Sequence, residues 1–524
     1  MSDIDSSSPY TTQINDSNDN KNDELITDKT SILNNNNGNN NNSSPPVSLA
    51  HQQSIENPNW RLFLGIRHPP HALFSLFILV SINLINYIDR YIPSAVKGQI
   101  KDDFDLNDFE SSLPITIFII VYMIACPVFG LLADKGWDRR KLICFGVCLW
   151  SALTALASIS PNYGTFLFVR AMIGIGEASY SMIAPAIISD WYKPKDRSKV
   201  LGWYYCAIPV GAALGYGLGG TLGSALGWRW AFVVIGLPGI ALGISIMRTV
   251  EPIRGATDPK PSRIEEISSV SESQWTVLKI LMSNGGFLAC CIGQTFSTFG
   301  AGGAADWFPY YMQTEFGFSE YGAGLVVGGC TVVGGLLGSI LGSYLAEGTK
   351  FSIKNSYLAV SGWSSLLSAI FIIFVLTSDS FPDGLIIVLL GGAQIGLWMY
   401  IGPITSLISN IVNPKHRTRA FAVATFLQHL FGDSASPSII GAVSDATSLR
   451  AAAAIIPIVW IIAGILWIGS SRFLPDLQKS IREHHTEKQT TNNEEEETAS
   501  GDSLRFETER TSEAFNENYD ASKT

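Results

Sequence analysis

The chain has 524 residues, 47% of them hydrophobic and only 15% charged, with 48 glycines and a formal net charge of −10. A soluble globular protein carries roughly 25% charged residues, so the composition speaks against the three or four soluble domains the length would allow. It also lacks the basic balance a nucleic-acid protein needs, and no nucleic-acid partner is expected.

The averages mix unlike regions. Residues 1–60 are rich in Ser, Asp and Asn, with Asn34 to Asn42 interrupted only by Gly38. Such a segment has too little apolar surface to offset the entropy of ordering, and it reads as a disordered tail. Residues 475–524, with Glu494 to Glu497, read the same way. The first tail sums to −6 and the second to −7, which leaves +3 for residues 61–474. No basic start followed by an apolar run and a small-residue cleavage site occurs in the first 70 residues, so no secretory leader is expected. The seven cysteines lie in apolar runs without a metal-type Cys-x-x-Cys pair. They read as packed small residues, and neither a metal nor a cofactor is expected.

Spanning a bilayer takes about 20 apolar residues in a helix. Such runs occur at 72–95, 111–133, 141–160, 163–189, 199–225, 229–248, 285–311, 321–345, 355–377, 384–411, 418–442 and 451–473, which predicts twelve spans. The longest connection, 249–284, carries Pro252, Gly255, Pro259 and Pro261 and reads as a cytoplasmic linker between a half at 61–248 and a half at 285–474. Lys and Arg crowd the loops after the even spans, among them Lys135, Arg139, Arg140, Lys195, Arg197, Lys415 and Arg417. The loops after the odd spans hold only Lys97, Lys101, Arg229 and Arg450. Positive loops face the cytoplasm, so both tails are expected there.

The halves echo each other. Pro194-Lys195-Asp196-Arg197 after span four returns as Pro414-Lys415-His416-Arg417 after span ten, and Leu132-Ala133-Asp134 after span two as Leu345-Ala346-Glu347 after span eight. A six-span unit used twice points to a transporter with its substrate site between the halves, near the midplane.

The loop Gly130-Leu131-Leu132-Ala133-Asp134-Lys135-Gly136-Trp137-Asp138-Arg139-Arg140-Lys141 resembles the signature between spans two and three of the major facilitator superfamily. In it Gly130 permits close helix approach. Asp134 ends a helix, where the dipole disfavours a carboxylate, so it needs cationic or helix N-terminal partners that a neighbour can give or withdraw. Gly130, Asp134, Arg139 and Arg140 are therefore read as a conformational latch. The glycines of span five, Gly202, Gly211, Gly215, Gly217, Gly219 and Gly220, suit tight packing, with a hinge as the alternative.

Four separated motifs within residues 71–474 narrow the resemblance: Asn86-Tyr87-Ile88-Asp89-Arg90-Tyr91, Arg170 to Ala178, Trp307-Phe308-Pro309-Tyr310-Tyr311 and Gln428 to Pro437. Together they resemble the spinster family, the sphingolipid and lysophospholipid branch of that superfamily. The resemblance implies an all-α major facilitator fold, transport of such a lipid by alternating access with or without proton coupling, and a central cavity in which Asp89, Arg90 and Glu177 sit together. It also implies late endosomal or lysosomal membranes for some members and the plasma membrane for others, and the former is expected here. Asp28-Lys29-Thr30-Ser31-Ile32-Leu33 loosely resembles an acidic dileucine sorting signal.

Charges inside a bilayer are costly and face a bundle interior or cavity. Asn83, Asn86 and Arg90 form a stripe at i, i+3 and i+7 with Asp89 on its flank, and the stripe is expected to face the cavity and the substrate. In span four Arg170 and Glu177 share a face, Arg170 toward the opposite end, and Gly174 and Gly176 let a neighbour approach near Glu177. Asp89 and Glu177 are read as proton-coupling groups that compete for Arg90, which could also meet a lipid phosphate. His429, a lone histidine within a span, is read as a head-group contact or proton carrier. Phe299 and Trp307 are read as cavity lining, Asp306 as interfacial and Asp433 as a partner within span eleven. A monomer is expected. The alternatives are a carrier of sugars or organic anions on the same fold and a non-transporting receptor or scaffold. No GxSxG, HExxH or Walker-type loop suggests an enzyme.

Overall fold

In a bilayer each backbone N–H and C=O must find its partner within the chain, and the apolar runs accordingly fold as long helices in the computed structural model. The structure describes residues 61–476 apart from 64–65, 70, 193, 254–272, 348–354, 378–380 and 414–415. The first expected tail, the second apart from Pro475 and Asp476, the dileucine-like segment and most of the expected linker lie outside the described residues. The described residues belong to one compact unit.

A small antiparallel hairpin opens this unit, β1 (Arg61–Phe63) paired with β2 (Ile66–His68), with Arg61 opposite His68. It is the one addition to an all-helical reading among the described residues. The first half follows: α1 (Ala72–Ala95), the short α2 (Lys97–Phe104), α3 (Asp108–Asp134), α4 (Arg139–Ala157), α5 (Tyr163–Trp191), α6 (Pro194–Tyr205), α7 (Ala207–Leu226) and α8 (Trp228–Ser245). The second half holds α9 (Gln274–Ser283), α10 (Gly285–Phe316), α11 (Glu320–Glu347), α12 (Ser356–Leu376), α13 (Asp383–Trp398), α14 (Ile401–Ile411) and α15 (Arg417–Gln428). A π turn (His429–Asp433) then leads to α16 (Ser436–Ala446), α17 (Leu449–Ala453) and α18 (Ile455–Phe473). Side-chain caps start several of them. Asn107 and Glu110 form a capping box at α3, Asp138 accepts from Arg140 N and Lys141 N at α4, and Asn162 accepts from Thr165 N at α5.

Among the described residues ten helices are long and apolar enough to cross a membrane, and α9 with α10, bent by 86° between them, gives an eleventh. The two expected spans that depart from the simple pattern are the seventh, α10, and the eleventh, divided between α15, the π turn and α16. Both border the cavity described below. In the seventh, Gln294, Thr298 and Asp306 replace apolar residues and dilute the hydropathy, whereas the eleventh is cut by the π turn into helices of 12 and 11 residues.

Each half has its own buried cluster. One gathers Trp150, Phe166, Tyr180 and Phe232, the other Phe287, Trp460 and Trp467. The halves meet where α7 packs along α11 and α3 packs along α16. α7 lies close on α1 because Cβ atoms added at Gly211 and Gly215 would stand 2.6 Å from Tyr87 Cβ and 2.7 Å from Ile88 O. Gly211, Gly215, Gly219 and Gly220 of span five thus serve helix packing, whereas a Cβ at Gly202 would meet nothing within 4 Å.

Candidate functional site

A cavity of about 320 Å³ lies between the halves. α1 presents Tyr87, Arg90, Tyr91 and Ser94 to it, a stripe at i, i+3, i+4 and i+7. α10 presents Thr298, Ala301, Gly302 and Ala305 in the same spacing, with Asp306 beside them. Phe118 and Tyr122 of α3, Trp398, Tyr400, Gln428, His429 and Asp433 are also in its wall.

In the first half the charges form two pairs. Arg90 Nε donates to Glu177 Oε2 at 2.6 Å, with Glu177 fully buried and the Arg90 side chain 19% exposed. Phe118 and Tyr122 lie under the guanidinium, their ring centres 5.2 and 4.8 Å away, a favourable setting for a cation. Asp89 turns the other way. It accepts from Thr154 Oγ1 at 2.5 Å and faces Arg170 Nη1 at 3.6 Å, both deep in the half. α5 can bring Glu177 and Arg170 here because of its glycines. A Cβ at Gly174 would stand 2.6 Å from Phe118 O of α3, and one at Gly176 would stand 2.7 Å from Gly146 O of α4.

The structure therefore corrects the expected stripe. Arg90 faces the cavity, whereas Asn83 and Asn86 do not line it. Asn83 is about 10 Å further down the helix, where its Nδ2 donates to Tyr204 O at 3.0 Å. Asn86 is buried on the flank toward Glu177. Asp89 and Glu177 do not share Arg90 in this conformation, because Arg170 takes Asp89. Arg170 thus joins the site although its place in the span suggested the far end.

In the second half His429 and Asp433 both reach the cavity, with His429 Nδ1 2.9 and 3.0 Å from the two carboxylate oxygens. Phe299 and Trp307 do not line it. Phe299 is one step of about 100° off the α10 stripe and packs against the second hydrophobic cluster. Trp307 is buried and donates Nε1 to Pro437 O at 3.0 Å. Asp306 is not interfacial either. It is 1% exposed, accepts from Ser94 Oγ at 3.1 Å and forms an ion pair with the buried Lys97, whose ammonium lies 3.7 Å from the Trp307 ring centre.

That pair belongs to a seal joining the halves at one end of the bundle. Asp445 of α16 accepts from Asp108 N and Phe109 N at 2.8 and 2.9 Å, at the start of α3. Ser444 donates to Asp108, which also pairs with Lys101. Gln99 donates to Glu320 at 2.6 Å and Tyr216 to Ala305 O at 2.6 Å. The sequence reading missed Asp108, Asp445 and the pairing of Lys97. The available signal was Asp306 itself, a carboxylate in an apolar run.

At the opposite end Arg139 is buried and donates to Asp190 at 2.6 Å, Glu251 at 2.8 Å and Pro252 O at 2.9 Å. It ties α4 to the end of α5 and to the chain leaving α8. Arg140 donates to Thr249 O at 2.9 Å and to Asp138. Burial works to raise the Asp138 carboxyl, but hydrogen bonds, that from Arg140 foremost, hold it below the usual carboxylate range. The Asp134 side chain lies outside the described residues. Gly130 faces open space among the described residues, so no helix uses the room its missing side chain leaves, contrary to the close approach expected.

Two helical halves around a central cavity with paired charges in its wall are the architecture of a major facilitator carrier. The Major Facilitator Superfamily pattern matches residues 79–437. Protein spinster homolog 1 of Xenopus laevis is 32% identical over 403 residues, which are 73% of this chain and 75% of that protein. The sphingosine-1-phosphate transporter SPNS2 of Danio rerio is 31% identical over 434 residues, 76% of this chain and 84% of that one. A bacterial homolog of the human lysosomal transporter spinster, crystallised in an inward-facing and occupied conformation, superposes with a TM-score of 0.66 at 22% identity, covering 77% of this chain and 97% of that one. The chain belongs to the spinster family of the major facilitator superfamily, and it is a multi-pass integral membrane protein.

Proposed function

We propose that the protein carries a sphingolipid or lysophospholipid across a membrane by alternating access, and that proton exchange at Glu177 drives the switch. The observation that carries this reading is Arg90, which is in the cavity wall and held there by the buried Glu177 carboxylate. A proton arriving on Glu177 removes the charge that holds Arg90, and the freed guanidinium can turn to Asp89 or to a lipid phosphate. Asp89 and Arg170 then act as the alternative partners. The relative in Danio rerio named as a sphingosine-1-phosphate transporter supports the substrate class.

The cation-rich loops support a cytoplasmic position for both termini and the Arg139 cluster, with the sealed end on the lumenal or exterior side. A late endosomal or lysosomal membrane and a monomeric carrier complete the proposal. Proteoliposomes offered lysolipids and sugars at two pH gradients test it. Uptake of lysolipid that follows the gradient is expected, and sugar uptake without lipid movement would replace the lipid reading by a sugar carrier. Localising a tagged chain tests the membrane.

A further inference from the structure

The proton-exchange reading leaves the second half's wall of the cavity without a task, yet that wall has a built feature. The π turn His429–Asp433 interrupts the eleventh span, and single π turns within helices recur at functional sites. The turn sits hard against α10, where a Cβ added at Gly302 would stand 2.5 Å from Asp433 Cβ. Asp433 is thereby fixed with its carboxylate toward the cavity, and His429 Nδ1 meets its two oxygens at 3.0 and 2.9 Å.

The charges around it are unequal. Arg90 answers Glu177, Arg170 answers Asp89 and Lys97 answers Asp306. Asp433 faces an imidazole in place of a fixed cation. An ionised carboxylate can accept about four hydrogen bonds, and one imidazole N–H leaves most of that capacity open. The cavity therefore has a guanidinium on one wall and an incompletely answered carboxylate on the other, with Tyr87, Tyr91, Trp398 and Tyr400 in the wall as well. Aromatic faces of this kind favour cations. Its volume, about 320 Å³, is at the small end of ligand pockets, which run to about 1,000 Å³. It suits a head group with the tail leading away between helices.

We propose that Asp433, oriented by His429, receives the ammonium group of a substrate whose anionic group lies at Arg90. The two charges of the head group are then read by different halves, the anion at Arg90 and the ammonium at Asp433. This rests on the lipid-carrier reading and adds to it the residue that selects the head group.

The test uses the full chain in proteoliposomes with two lipids of the same acyl chain. Lysophosphatidylethanolamine carries phosphate and ammonium, and lysophosphatidic acid carries phosphate without ammonium. The protein should favour the first by about tenfold, as one close charge pair can provide. Asp433→Asn should bring the ratio to within about twofold, with an unchanged unfolding temperature reporting that the variant is folded. Asp433→Glu should keep a preference. Parity in the unmodified protein, or an undiminished ratio in Asp433→Asn, overturns the assignment of Asp433 and leaves the carrier intact. Movement of neither lipid by the unmodified protein overturns the carrier reading and this one with it. If Asp433→Asn moves neither lipid, Asp433→Glu decides, a kept preference for the proposal and parity against it.

Discussion

Arg90–Glu177 and Lys97–Asp306 are both ion pairs in places where water is scarce, and they differ in what they join. Arg90 and Glu177 sit on α1 and α5 of one half, and the Arg90 side chain is 19% exposed to the cavity. Lys97 and Asp306 come from different halves and are 2% and 1% exposed. When halves rock about a central site, the motion itself does not part a pair inside one half, which opens only when its carboxylate takes a proton, whereas a pair between halves must part in every cycle. The first can report cavity chemistry through its partners. The second sets how firmly one end stays shut.

The largest effect expected follows from the second pair. Removing one partner of a buried ion pair costs about 3–5 kcal/mol, enough to move a two-state population by more than two decades. Lys97→Met should therefore open the sealed end and cut transport at least tenfold. A cysteine placed at Ser438, which lies between the halves against Ser112 and Thr116, should label faster from that side. The exchanged pair Lys97→Asp with Asp306→Lys should recover part of the closure. Equal labelling in all three proteins would mean that the pair only fills space.

Next comes Glu177→Gln. The amide can still accept from Arg90 but cannot exchange a proton, so transport should continue with its pH dependence gone and Ser438→Cys labelling within about twofold of the parent. Transport that still follows pH would remove Glu177 from the mechanism. Labelling that rises as it does for Lys97→Met would erase the distinction between the two pairs.

How far the sequence carried this site follows from its chemistry. Asp89, Arg90 and Glu177 are visible because ionisable residues are rare in apolar runs and must face something polar. Their partners are not visible. Helical phase puts Asn83 on nearly the same azimuth as Arg90, but only the packed structure shows the Tyr204 carbonyl covering it one cavity-depth lower. Arg170 pairs with Asp89 because three helices converge where α5 has glycines. Lys97 reads as an ordinary loop charge until Asp306, 209 residues on, is brought beside it. The π turn has no local signature, since the hydrogen-bond shift that makes it depends on what α10 leaves room for. The spans and the two halves, by contrast, follow from hydropathy and loop charge.

A smaller effect is expected at the other end. Arg139→Gln removes the guanidinium bonds to Asp190 and Glu251, whose side chains are 13% and 22% exposed and so keep some water. The loss should be about 1–3 kcal/mol, read as a lower unfolding temperature, with the head-group ratio unchanged. Acid should reach this end late. The Asp138 carboxyl is held below the usual range, so its contribution is complete above the ordinary carboxylate pKa and fades only as pH falls through the lowered value. A thermal melt that loses stability between pH 7 and 5 through Asp138→Asn would contradict that order.

The smallest effects make the finest comparison, because two side chains cap the same helix from different halves. Asn107 accepts from Glu110 N at 2.8 Å within its own half, and Asp445 accepts from Asp108 N and Phe109 N across the divide. Losing a cap costs about 1 kcal/mol in either case. The consequence should differ. Asn107→Ala lowers the stability of α3 in every conformation, so it shifts the melt and leaves Ser438→Cys labelling alone. Asp445→Ala removes bonds that exist only while the end is sealed, so it should raise labelling about fivefold with little change in the melt. If both variants lower the melt and neither moves the labelling, α3 is capped for folding alone, and the closure rests on Lys97 and Asp306.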